Sequence, residues 1–179
     1  LGTAFGEYEI VKDLKLKILA GTDITAGKSY SYTPSYLYEG ASSNGSASLS
    51  QTDVSSWLNE NTLTYATTLR KVHTLNFLLG FTQQETTTES LGARSSDFVT
   101  DALTYNDLGS GSVTSTPSSS NAKRSLISFL SRVNYNFDDR HSLSLSLCRD
   151  GSSRFGKDSK WGTFPSVGYS WNIGNEAFF

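Results

Sequence analysis

The stretch Gly151-Ser152-Ser153-Arg154-Phe155-Gly156-Lys157 has the spacing of a phosphate-binding loop, in which backbone N–H groups cradle phosphates and the lysine reaches the outer ones. That chemistry also requires Ser or Thr at the next position to hold magnesium, where this chain has Asp158, and a helix directly after. Trp161-Gly162-Thr163-Phe164-Pro165 is no helix start. The stretch reads better as a turn, signalled by Asp150-Gly151. Arg149, Arg154, Lys157 and Lys160 stand against Asp150 and Asp158 there, close enough in sequence to form a charge network, with Phe155 and Trp161 over the arginine stems. No bound phosphate or metal is expected.

The other reactive residue types are scattered. His73 and His141 each begin an alternating run beside a short polar break, and their spacing suggests no metal site. Both read as interfacial polar residues. Cys148 falls in phase with Ser142, Ser144 and Ser146, without an identifiable base or orienting group, and reads as a small strand residue. Asn44-Gly45-Ser46 fits a glycosylation sequon but reads as a polar loop. Tyr30, Tyr32, Tyr36 and Tyr38 fall in a polar stretch and suit either stacking on sugar rings or packing within a loop. The expectation is a chain with no catalytic, cofactor-binding or metal-ligating residues, hence no enzyme, and with its ligand contacts unassigned.

What must position these residues is a series of strands. Ile127, Phe129, Val133, Tyr135 and Phe137 alternate with Ser128, Arg132, Asn134 and Asn136. After Asp138-Asp139-Arg140, Leu143, Leu145 and Leu147 oppose Ser142, Ser144, Ser146 and Cys148, and later Val167, Tyr169, Trp171 and Ile173 oppose Ser166, Gly168, Ser170 and Asn172. Period-two alternation puts successive side chains on opposite faces of a pleated sheet. Earlier runs cover 1–11, 14–22, 55–69 and 73–83. In them Leu14, Leu16, Ile18 and Ala20 share a face, as do Leu63, Tyr65 and Leu69, and Leu75, Phe77, Leu79 and Phe81. Seven strands follow, in an antiparallel up-and-down order. Short turns at Lys12-Asp13, Arg70-Lys71 and Asp138-Asp139 alternate with longer connections over about 24–53, 84–123 and 150–160. The first two are too long for ordinary turns, so they are functional or disordered.

Composition narrows the class. Hydrophobic residues make up 36% and charged residues 18%, with a net charge of -2. That balance lacks the clustered basic surface of a nucleic-acid binder, so no nucleic acid is expected. A single cysteine excludes an internal disulfide framework. No apolar run is long enough for a membrane helix, which says nothing about barrel strands of alternating polarity. The chain starts at Leu1 and contains no methionine, so it is expected to be a processed product or part of something longer.

The order of residues in RDGSSRFGKDSKWGTFPSVGYSW, with LISFLSRVNYNFDDRHSLSLSL before it, resembles the late barrel region of SusC-like (RagA-type) TonB-dependent transporters, nutrient importers in the outer membrane of Bacteroidetes-type bacteria. The likeness is strongest over 125–179 and looser over 1–23 and 55–84. It implies that 1–179 is part of one large transmembrane β-barrel, about a third of its wall, without the family's N-terminal plug. The implied partners are a SusD-like surface lipoprotein, the TonB complex acting through a plug absent from this chain, the lipid bilayer, and an oligosaccharide or peptide ligand. Under that reading Tyr135, Phe137, Phe81, Tyr169 and Trp171 form aromatic girdles at the lipid interfaces. Ile127, Phe129, Val133, Leu143, Leu145, Leu147, Val167, Tyr169 and Trp171 share the outer side, and both terminal strands need partners from outside this sequence. The alternative is a soluble β-sandwich such as a carbohydrate-binding module, with the same aromatics as core. It accounts for the alternation but not for the asymmetry of the connections.

Overall fold

The computed structural model describes residues 1–156 and 158–176. Lys157, the last position of the phosphate-loop spacing, lies outside them. Strands β1 (Gly2–Val11), β2 (Leu14–Thr33), β3 (Ser46–Leu69), β4 (His73–Phe98), β5 (Gly111–Thr114), β6 (Ser118–Phe137), β7 (His141–Ser152) and β8 (Trp161–Trp171) form one antiparallel sheet. Its order is β1-β2-β3-β4-β6-β7-β8, with the short β5 on β4, and β1 and β8 end it. The seven expected strands are therefore present in the expected meander, with β5 as an eighth. The chain divides into two compact units. The first holds 1–22, 56–85 and 124–179, and the second 23–55 and 86–123.

In the first unit the tight turns fall where the sequence breaks. Arg70 and Lys71 have φ of 52° and 64°, and Asp138 and Asp139 of 50° and 53°. Consecutive left-handed residues suit a hairpin because their twist matches that of the flanking strands. The Asp139 N–H donates to Asn136 Oδ1 at 3.0 Å, and Arg140 N–H to the Phe137 carbonyl at 2.9 Å. At the first turn Asp13 alone is left-handed (φ 69°), and its N–H donates to Glu9 Oε1 at 3.1 Å.

The register assigns the faces. Tyr135 pairs with Leu143, Val133 with Leu145 and Phe129 with Arg149, while across the next ladder Leu143 pairs with Tyr169, Leu145 with Val167 and His141 with Trp171. Directly paired residues share a face. The second set runs Asn136, Ser142, Ser170; Asn134, Ser144, Gly168; and Arg132, Ser146, Ser166. The expected registration therefore holds, with Ser144 and Ser146 opposite the leucines. Arg149 and Ser131 sit on the apolar face, and Leu130 and Phe164 on the polar one.

The second unit corrects the reading of the long connections. Residues 24–33, 46–53, 84–98 and 118–123, expected in loops, continue the strands. Its buried centre is small. Phe98 and Ala47 are 3% and 1% exposed, and the Tyr32 ring meets Phe98 edge-on at 5.8 Å. Leu37 leads into a single helical turn, α1 (Tyr38–Ala41), where Gly40 is buried so close to the Pro34 carbonyl that no Cβ would fit.

Candidate functional site, an apolar belt on one sheet face

Among the described residues the first unit is a single layer, and none of its own strands covers its apolar face. Val167 is 73% exposed, and Phe129, Leu145 and Leu147 are each more than two-fifths exposed. Burying such side chains from water is worth roughly 1.5–3 kcal/mol each. A soluble sandwich would put a second sheet there, and among the described residues there is one sheet only. The sandwich alternative has no support in this architecture.

Aromatic rings bound the belt at both ends. At the turn end, His73 lies 5.9 Å from Tyr135 and 5.1 Å from Phe137, and its Nδ1 is 2.7 Å from the Tyr135 hydroxyl. His141 lies 6.1 Å from Tyr169 and 6.0 Å from Trp171, with its Nδ1 2.9 Å from the Tyr169 hydroxyl. Trp171 Nε1 donates to Glu176 Oε1 at 3.0 Å, and Arg140 pairs with Asp138 at 3.0 Å and with Glu176 at 3.6 Å. Rings thus give way to charges at the turn. Both histidines are hydrogen-bonded to tyrosines of the ring row beside the turns. At the other end Phe81 lies 5.3 Å from Phe129, and Phe129 lies 6.1 Å from Trp161. The Arg149 guanidinium rests over the Trp161 ring at 5.3 Å.

The spacing of the two rows has physical meaning. Phe129 and Phe137 are eight residues apart on β6, or about 26 Å along a strand at 3.3 Å per residue. At the tilt of about 40° common in membrane barrels, that covers about 20 Å of the bilayer normal, close to the apolar band of such barrels. Phe81, Tyr135, Phe137, Tyr169 and Trp171 all fall in these rows. Trp161 and Phe129 complete the second row, which the sequence reading did not assemble. Its signal was available in the eight-residue interval between Phe129 and Phe137.

The charged stretch after β7 is reorganised. The strand runs through Gly151 to Ser152, so the connection is only 153–160. Gly151 is an extended residue rather than a turn glycine, and its missing side chain makes room for the Trp161 ring, which a Cβ would meet at 2.9 Å. Ser153 N–H donates to the Ser125 carbonyl at 3.0 Å, Ser125 N–H to Ser153 Oγ at 2.9 Å, and Ser152 N–H to the Lys160 carbonyl at 3.0 Å. These contacts tie the described ends of the turn to the neighbouring strands. Among the described residues, however, no ion pair links Arg149, Asp150, Arg154, Asp158 and Lys160; serines and backbone replace the expected charge network. Among the described charges of this stretch, Arg149 alone finds an aromatic partner, and Phe155 is exposed. Cys148 Sγ donates to Asp150 Oδ1 at 3.0 Å, on the polar face.

In the second unit, Asp101 joins two segments far apart in sequence. It accepts from the Tyr32 hydroxyl, from Ser35 N–H at 3.1 Å and from Ser35 Oγ at 2.8 Å. The Tyr32 bond comes first among the causes holding the Asp101 carboxyl below its ordinary value, followed by Ser35. The Tyr32 phenol is pushed up to about 12 by burial, then by its bond to Asp101 and the charge there. Asn44 Nδ2 donates to Asp97 Oδ1 at 3.0 Å and to the Phe98 carbonyl at 3.1 Å. Gly45 (φ 82°) turns the chain where a Cβ would meet the Tyr32 hydroxyl at 3.1 Å. Tyr30 and Tyr32 are strand residues, the Tyr30 ring lying tilted 5.2 Å from that of Tyr105, while Tyr36 and Tyr38 stand exposed. Asn44 of the sequon is committed to this clasp.

No protein-family model matches the sequence. A TonB-dependent receptor, P3, of Formosa agariphila is 32% identical over 174 residues, 97% of this chain and 17% of that protein. The TonB-dependent receptor SusC of Bacteroides thetaiotaomicron is 43% identical over 56 residues, 31% of this chain and 6% of that one. Among solved structures, the RagAB peptide transporter superposes with a TM-score of 0.87 at 31% identity, over 97% of this chain and 20% of the matched one. The chain spans a fifth or less of the proteins it matches here. With the meander, the belt and these similarities together, the chain belongs to the SusC-like TonB-dependent transporters, as a stretch of their barrel wall.

Proposed function

We propose that this chain forms part of the wall of an outer-membrane nutrient importer that takes up oligosaccharides or peptides. In this reading a SusD-like lipoprotein covers the mouth, TonB drives uptake through a plug, and no reaction is catalysed. The observation that carries it is the uncovered apolar belt between two aromatic rows, spaced as a bilayer requires. The relatives are receptors and transporters by name, and one matched structure is a peptide transporter. Strands β1 and β8 end the sheet order, and an unpaired edge recruits another strand. Further strands of the same barrel are the natural partners.

The test uses the full-length protein in its own cells. It should fractionate with the outer membrane, require detergent for extraction, and co-purify with a surface lipoprotein. Uptake of labelled oligosaccharides or peptides should stop when TonB is deleted. Recovery from the soluble fraction without detergent, or uptake unaffected by the TonB deletion, would overturn this reading.

A further inference from the structure

Arg149 is out of place by the logic of the belt. Its strand partner is Phe129, so its side chain leaves the apolar face, beside the second aromatic row. Its guanidinium lies over Trp161, and among the described residues no carboxylate pairs with it. Asp150, next in sequence, points to the opposite face, where it pairs in register with Ser128 and Gly162. An unpaired cation beside hydrocarbon is costly unless a counter-charge meets it at the interface.

Directly below Arg149 the belt is notched. Ser131 takes the place of a large apolar residue in the row, opposite Leu147, and its hydroxyl turns to the Leu147 carbonyl at 3.5 Å. Around this gap runs a groove of about 520 Å³, walled by Leu63, Leu79, Phe81, Phe129 and Leu147 and reaching Arg149. The groove is mainly apolar, interrupted by Asn61 and Ser131, and its one charged lining residue is that cation.

We infer that the groove seats one lipid with a phosphate headgroup, its acyl chain lying over Ser131 and its phosphate held by Arg149. The inference rests on the membrane reading above. A planar guanidinium meets phosphate oxygens with two parallel N–H donors, and Trp161 beneath fixes its plane. A free anion has no use for the apolar part, and a neutral apolar segment would leave the cation unpaired.

Native mass spectrometry of the full-length transporter in neutral detergent tests this, titrated with dioleoyl-phosphatidylglycerol and, separately, dioleoyl-phosphatidylcholine. One phosphatidylglycerol should be retained above the unspecific background. Arg149→Gln should weaken that adduct about 10-fold, the equivalent of one lost charge-assisted contact, and Arg149→Lys, which keeps the charge but not the planar fork, should weaken it by a smaller factor. Ser131→Leu fills the notch and should weaken both lipids. Adducts insensitive to all three variants would overturn the site while leaving the belt intact. A protein soluble without detergent and free of lipid would instead remove the membrane reading itself. Displacement of the lipid by millimolar inorganic phosphate, or loss of the adduct to a dimer of the transporter, would also refute it.

Discussion

Leu145 offers the sharpest test of the belt. It pairs with Val133 on one side and Val167 on the other, and it lies four residues from both His141 and Arg149, which mark the two aromatic rows. It is therefore at the middle of the apolar band. Arginine on the lipid face costs about 2–4 kcal/mol at the midplane and about 0–1 near the interfaces. Leu145→Arg should lower the folding free energy of the full-length barrel in phosphatidylcholine vesicles by about 2–4 kcal/mol, roughly 30- to 1000-fold in equilibrium constant. Trp171→Arg, at the rim, should cost about 1 kcal/mol or less. The neighbouring Ser144→Arg points to the serine face and should be nearly neutral. Guanidinium titration of vesicle-inserted protein, read by tryptophan fluorescence, measures the differences. Equal costs for Leu145→Arg and Ser144→Arg, or a larger cost for the serine, would refute both the face assignment and the idea that lipid covers this face.

Four further outcomes follow from the contacts described. Because Asp101 has its folded pKa below its ordinary value, its contribution is complete above about pH 4 and is lost as pH falls through the folded value. The protection of the Ser35 amide from hydrogen exchange, taken relative to its intrinsic rate at each pH, should fall over that acid range, and Asp101→Asn should remove that fall. The same substitution should bring the Tyr32 phenol down from about 12, visible as phenolate absorbance at lower pH. Gly40→Ala would force a methyl against the Pro34 carbonyl and should open the clasped segment to limited proteolysis while detergent extraction stays normal. Lys71→Gly, at φ 64° in an exposed turn, should stabilise the hairpin by up to about 1 kcal/mol in the same vesicle titration.

The first unit was legible because one of its faces is apolar and the other is not. Alternation at Leu143–Leu147 and Val167–Trp171 carried both the strand positions and their registration. The second unit defeated the same signal because both faces of its strands are polar, as at Thr86-Thr87-Thr88-Glu89-Ser90, and hydrophobic period then marks nothing. A weaker signal was present at Ser29-Tyr30-Ser31-Tyr32-Thr33, where tyrosine recurs at every second position, and Thr runs favour strands. Asp101 could not be found by spacing, since its partners Tyr32 and Ser35 lie 69 and 66 residues away. Gly151 misled for a simpler reason. A glycine after an aspartate signals a turn, but here the residue is chosen for the ring that lies over it.

The three tight turns have a kinetic consequence. Closing a chain segment costs about (3/2)RT ln n, so the connection over 99–117 costs about 1.5 kcal/mol more to close than the three residues 70–72. Hairpins β1–β2, β3–β4 and β6–β7 each close across such a short turn and can form early from contacts local in sequence. Docking one finished hairpin onto the next is then the slower, non-local event. Ten residues inserted into 99–117, away from Asp101 and β5, would add only about 0.4 kcal/mol to closure. Evolution can therefore vary the long connections at little thermodynamic cost while the hairpins keep their register.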